Sequence, residues 1–74
     1  MSTEEKVILL ALLKKEGGEG VRDILAILEN NQLFTMKEGK QLVKGLKNKG
    51  YISNGELTPK GFLVAKQVEM EFKL

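Results

Sequence analysis

The chain has 74 residues, with 12 basic and 10 acidic side chains for a net charge of +2, and it contains no cysteine and no histidine. A chain this short makes one domain, which buries only roughly 60% of the surface its unfolded form exposes and therefore gains from a partner. Without thiols or imidazoles it lacks disulfide staples, the usual zinc ligands, a thiol nucleophile and the commonest acid-base group, which points away from an enzyme, a metal site and a bound cofactor.

Ser2 with Glu5 three residues later reads as a capping box, and Gly17-Gly18 follow Lys14-Lys15, so a first helix is expected from about residue 3 to 16. Its run Val7 to Leu13 is apolar on almost every side, yet far shorter than the ~20 residues that span a bilayer. Glu4 and Glu5 stand where a signal peptide would carry basic residues, so a cytoplasmic protein without membrane contact is expected. From Gly20, Val21, Ile24, Leu25 and Leu28 recur at the i, i+3, i+4, i+7 spacing of a one-sided second helix, which Asn30-Asn31 ends.

Thr35-Met36-Lys37-Glu38 forms a second capping box and opens a third helix, which turns Met36, Leu42, Val43 and Leu46 inward and stops before Gly50. Asn54-Gly55 then sits between the short arms Tyr51-Ile52-Ser53 and Glu56-Leu57-Thr58, the pattern of a hairpin with a type I′ turn. Thr58 caps a fourth helix with Pro59 at its first position, and Leu57 is placed to pack on Phe62 as a hydrophobic staple. The expected class is mostly α with a small β-hairpin.

"TMKEGKQLVKGLKNKGYI" (35–52) and "ELTPKG" (56–61) resemble the recognition helix, wing and following helix of a winged helix-turn-helix domain of the bacterial transcription-regulator kind, as in the MarR-like and PadR-like groups. The likeness of element order covers nearly the whole chain. It implies one domain over 1–74, with a core of three helices and a two-stranded wing over 1–58 and a C-terminal helix over 59–74. The wing is cut to Asn54-Gly55 with Glu56 beside it, so its expected task is to fold the last helix back. A first strand of the family's kind would have to lie near Gly20-Val21.

Charge is uneven along the chain: residues 1–34 carry 4 basic and 6 acidic side chains, residues 35–61 carry 6 and 2, and residues 62–74 carry 2 and 2. In the basic third, Lys37, Lys40, Lys44 and Lys47 fall within an arc of roughly 80° on a helix, apart from the apolar arc of about 120°. Gln41 and Asn48 flank the lysines and suit adenine edges, while Thr35 and the helix N-terminus suit a phosphate. With the resemblance, this predicts double-stranded DNA as the partner, held mainly by lysine-phosphate contacts because lysine is a point charge. A solvated lysine face is the plainer alternative.

The fourth helix carries two apolar stripes. Phe62, Ala65, Val68 and Phe72 are expected on the core, whereas Leu63, Met70 and Leu74, with Gln67 between them, have the spacing of a short coiled-coil seam. That seam, with surplus apolar surface on helix 1, predicts a symmetric homodimer that offers two recognition helices to a pseudo-palindromic site. Gly17-Gly18-Glu19-Gly20 lacks the following Gly-Lys-Ser/Thr of a phosphate loop and reads as a connection, and Tyr51 is expected to pack at the foot of the wing. The function expected is therefore a DNA-binding transcription regulator or small DNA-binding accessory protein. The alternative is a protein-protein adaptor of the same fold that engages a partner through the apolar seam.

Overall fold

The computed structural model describes residues 1–72, in the order α1 (Thr3–Lys14), α2 (Val21–Asn30), α3 (Met36–Asn48), β1 (Ile52–Ser53), β2 (Glu56–Leu57) and α4 (Pro59–Phe72). The architecture is mostly α with one two-stranded antiparallel hairpin, in which Ile52 pairs with Leu57 and Ser53 with Glu56. Gly20 and Val21 form no strand. Among the described residues no helix is long and apolar enough to cross a membrane.

Local chemistry explains the ends of the elements. At α1 the Glu5 N–H donates to Ser2 Oγ at 3.2 Å and the Ser2 N–H to Glu5 Oε1 at 3.0 Å, so two orphan amides are satisfied reciprocally. The helix ends at Lys14 rather than near residue 16, because Lys15 is already extended and the Glu16 N–H turns to Glu19 Oε1 at 2.9 Å. The α2 terminus closes through N–H bonds from Gln32 to the Glu29 carbonyl and from Leu33 to the Leu28 carbonyl. The helix ends at Asn30-Asn31 as expected, and Gln32, at φ 62°, takes the left-handed position that follows. The same pair of bonds ends α3, with Gly50 at φ 81° in that position.

Asn54 and Gly55, at φ 53° and 79°, make the turn that the hairpin requires. Thr58 then joins three elements: its hydroxyl donates to the Gly50 carbonyl at 2.6 Å, accepts from the Gly61 N–H at 3.0 Å, and its own N–H donates to the Tyr51 carbonyl at 3.0 Å. The hairpin and α4 are thereby fastened to the end of α3.

Helix α1 lies at the centre, packed on α2, α3, α4 and β2. Its Ile8, Leu9 and Leu12 meet Ile24, Leu25 and Leu28 of α2, Val43 and Leu46 of α3, and Ile52 and Ala65 from beyond, with no polar side chain buried among them. No residue from Val7 to Leu13 is exposed. The surplus apolar surface of α1, expected to feed a dimer, is thus covered within one chain by four neighbouring elements. Phe34, in the turn before α3, is also buried, and its ring lies against Gly39.

The inward side of α4 differs from the expected one. Ala65 and Val68 are buried as anticipated, but Phe62 and Phe72 each keep 45% exposure. The stripe that meets the core is Gly61, Val64, Ala65 and Val68, at i, i+3, i+4 and i+7. Gly61 leads it because the backbone of Tyr51 comes so close that a β-carbon there would lie 2.7 Å from the Tyr51 carbonyl carbon. Phe62, next in the chain, lies on the outer side of that stripe at 45% exposure, with the Lys66 ammonium 5.6 Å from its ring centre.

Candidate nucleic-acid interface

Helix α3 holds the basic face because its two sides are anchored separately. Val43, Leu46 and Gly39 are buried and Met36 and Leu42 half-buried, so the remaining side must point outward. On that side Lys37, Lys40, Lys44 and Lys47 are all exposed, as are Gln41, Asn48 and Thr35. The charges are also uncompensated. Among the described residues, Lys6, Lys14, Lys15, Lys49 and Lys66 each reach a carboxylate within 4 Å, while none of the four α3 lysines does. An unpaired cation on a convex helix keeps its full field for an anion arriving from solvent, whereas a paired one must first give up its partner.

One cation absent from the sequence reading joins this set. Arg22, the chain's only arginine, stands in the first turn of α2 and lines one groove with Lys40, Lys44 and Lys47. It too has no acidic partner among the described residues. Its planar guanidinium supplies the forked donor that the lysines lack. Nothing in the spacing of α2 marks Arg22, since only the packing of α2 on α3 brings it to the lysines.

The other flank of α3 has the opposite character. Gln41 lines a shallow hollow with Glu4, Glu38, Leu33 and Leu42, so two carboxylates share its surroundings. At the helix N-terminus, the Met36 N–H donates to Glu29 Oε2 at 2.8 Å, the Glu38 N–H to Thr35 Oγ1 at 3.2 Å, and the Thr35 N–H to Glu38 Oε1 at 3.0 Å. The amides that would cradle a phosphate are largely taken, and the Glu38 carboxyl is held below its usual pKa by the bond from the Thr35 backbone, so it stays ionised beside them. Thr35 therefore works as a helix cap with carboxylates around it, and the free positive field lies towards Lys40, Lys44, Lys47 and Arg22.

The hairpin folds back on the body of the domain. Gly55 at its tip lies beside Val21 at the start of α2, and Glu56 faces Lys15 at 3.8 Å, so the turn folds against the α1–α2 connection. Tyr51 at its foot is half-buried, with the Lys60 ammonium 5.3 Å above its ring.

On α4, Leu63 and Met70 are 65% and 74% exposed and Gln67 is exposed between them, all on the side away from α1, while Leu74 of the expected seam lies outside the described residues. No protein-family model matches the chain, and neither a curated protein nor a solved structure matches it significantly.

Proposed function

We propose that the chain is a minimal winged helix-turn-helix protein that binds double-stranded DNA, with α3 in the major groove, and acts as a transcription regulator or a small DNA-binding accessory protein. The observation that carries this reading is the ionic contrast on the surface: described lysines outside α3 are ion-paired, or in the case of Lys60 bonded to the Lys49 carbonyl, while the α3 lysines and Arg22 stand free on one face. The order of helix, helix, helix, hairpin, helix supports it. Affinity comes mainly from phosphates, which lysine suits as a point charge, and Arg22 is the side chain best equipped to read a guanine edge.

The test is an amide-shift titration of labelled protein with a random-sequence duplex, at low and at physiological salt. Shifts concentrated at Arg22 and on the exposed residues from Lys37 to Asn48, fading as salt rises, are expected. Shifts absent there, or insensitive to salt, reject the reading.

A second reading rests on α4. Leu63 and Met70 leave an apolar outer face that a two-fold partner covers, and pairing two chains this way presents two α3 helices to one duplex. If the same face instead takes a different protein, the fold works as an adaptor. Sedimentation separates these outcomes, because a dimer mass without any partner added supports self-pairing.

A further inference from the structure

The groove between the start of α2 and the outer flank of α3 has more than a basic rim. It measures about 420 Å³, and Arg22, Lys40, Lys44 and Lys47 stand over a floor of Val21, Leu25, Met36 and Val43. Phosphates explain the use of the rim, but a sugar-phosphate backbone offers only small apolar patches, separated by charged phosphates, to a floor of four apolar side chains. Recognition grooves that accept an amphipathic helix combine these two features, an apolar trough and a charged border.

The dimensions agree with a helical occupant. Met36 and Val43 are seven residues apart, as are Lys40 and Lys47, and seven residues of helix rise about 10 Å. Apolar side chains at i, i+3, i+4 and i+7 of a helix lying along α3 cover the same about 10 Å, and acidic residues on its flanks meet the rim. A ligand with one anionic headgroup would satisfy one end of a rim whose charges are spread over two turns. The opposite flank of α3, where Glu4 and Glu38 line the hollow, repels the same acidic helix, so the charge pattern selects one side.

The geometry points to this groove as the docking site for an acidic amphipathic helix of a partner protein. The site stands on the groove itself. Its consequence, that the partner excludes DNA from α3, rests on the DNA-binding reading above. Such a contact gives so small a chain a means of regulation.

The experiment uses the full chain and a synthetic peptide of about four helical turns, with leucine at i, i+3, i+4 and i+7 and glutamate and alanine elsewhere. A second peptide has the same composition in an order that destroys the apolar stripe. Anisotropy of the labelled peptides gives affinity, and displacement of a labelled duplex gives competition. The striped peptide is expected to bind at least about tenfold more tightly than the scrambled one and to displace the duplex. Arg22→Glu and Lys44→Glu, both at exposed positions, are each expected to weaken it about tenfold. Met36→Gln, with circular dichroism to verify the fold, is expected to weaken the peptide while leaving duplex affinity within about twofold, because Met36 is half-buried in the floor and carries none of the charge that holds phosphates.

Equal binding of both peptides overturns the proposal, since the rim alone would then account for it. Duplex binding without binding of the striped peptide overturns it and leaves the DNA reading intact. Simultaneous binding of peptide and duplex places the peptide elsewhere and overturns it too. Binding of the striped peptide, sensitive to Met36→Gln, with no duplex binding supports the docking site and removes the DNA reading.

Discussion

Replacing Gly61 by alanine tests the packing account, because the usual rule for glycine in a helix gives the opposite sign. Gly61 is the third residue of α4, where alanine's better helix propensity is worth at most about 1 kcal/mol. Against this, the new β-carbon would lie 2.7 Å from the Tyr51 carbonyl carbon and 3.0 Å from its α-carbon, and closer still to the carbonyl oxygen. Carbon atoms rest at roughly 3.5 to 4.0 Å, so α4 must retreat by about 1 Å. The obstacle is backbone held at both ends, since the Tyr51 carbonyl accepts the Thr58 N–H at 3.0 Å and Thr58 in turn holds Gly50 and Gly61. Overpacking of this kind costs about 1 to 3 kcal/mol, and each strained hydrogen bond roughly 0.5 to 1.5 more. Net destabilisation of about 2 to 4 kcal/mol follows, a fall in Tm of roughly 10 to 25 °C for a domain of this size.

Gly45→Ala is the control. It lies inside α3, where an added β-carbon meets nothing within 4 Å, so the propensity gain is unopposed and Tm rises by a few degrees, up to about 8 °C. Thermal unfolding followed by circular dichroism reads both variants. If Gly61→Ala matches or exceeds the wild-type Tm, the close approach of α4 to Tyr51 is wrong, and with it the reason that Gly61 leads the inward stripe.

Three further expectations follow from the same geometry. Gln32→Gly should stabilise the chain by about 1 kcal/mol in thermal or urea unfolding, because it relieves a left-handed residue at φ 62° without removing either N–H bond of the turn; a loss of stability would contradict that. Glu5 and Glu38 are held below the usual glutamate value of 4.5, chiefly by bonds from the Ser2 and Thr35 backbones respectively, so their contribution is present above that pH and is lost as pH falls through the lowered values. The Tm should therefore decline below about pH 4.5, and the double variant Glu5→Gln, Glu38→Gln should flatten that decline; an unchanged profile would remove the caps from the account. Finally, Met70→Glu places a charge on the exposed α4 face and should shift the sedimenting mass from dimer to monomer while leaving the Tm of the monomer unchanged, whereas a wild-type monomer at tens of micromolar would reject self-pairing.

What could be read in the sequence was largely local. Ser2 with Glu5, Thr35 with Glu38, Asn54-Gly55 and Thr58-Pro59 each act over at most four residues, and each forms the expected cap, turn or helix start. The one-sided spacing of Ile24, Leu25 and Leu28 similarly gives their burial in α2. Interactions between distant segments were not legible. A hydrophobicity pattern ranks Phe62 and Phe72 above Gly61, but the approach of the Tyr51 backbone makes the smallest residue the one that packs. Glu29 reaches the α3 N-terminus from seven residues upstream, which no capping pattern includes. Arg22 joins the α3 lysines only through the crossing of two helices, and the helix 1 surface that suggested a partner is consumed by four neighbours.

The most direct test of the central claim is the salt dependence of affinity for a labelled random-sequence duplex, measured by anisotropy for the wild type, Lys44→Gln and Lys66→Gln. If Arg22, Lys37, Lys40, Lys44 and Lys47 each neutralise a phosphate, the log-log slope per chain is about −4 to −5, a loss of several hundredfold between 50 and 200 mM salt. Lys44→Gln should make that slope shallower by about 1, whereas Lys66→Gln, on α4 and already 3.7 Å from Glu69, should leave it unchanged. A slope near zero, or equal effects from the two substitutions, would contradict DNA binding through α3.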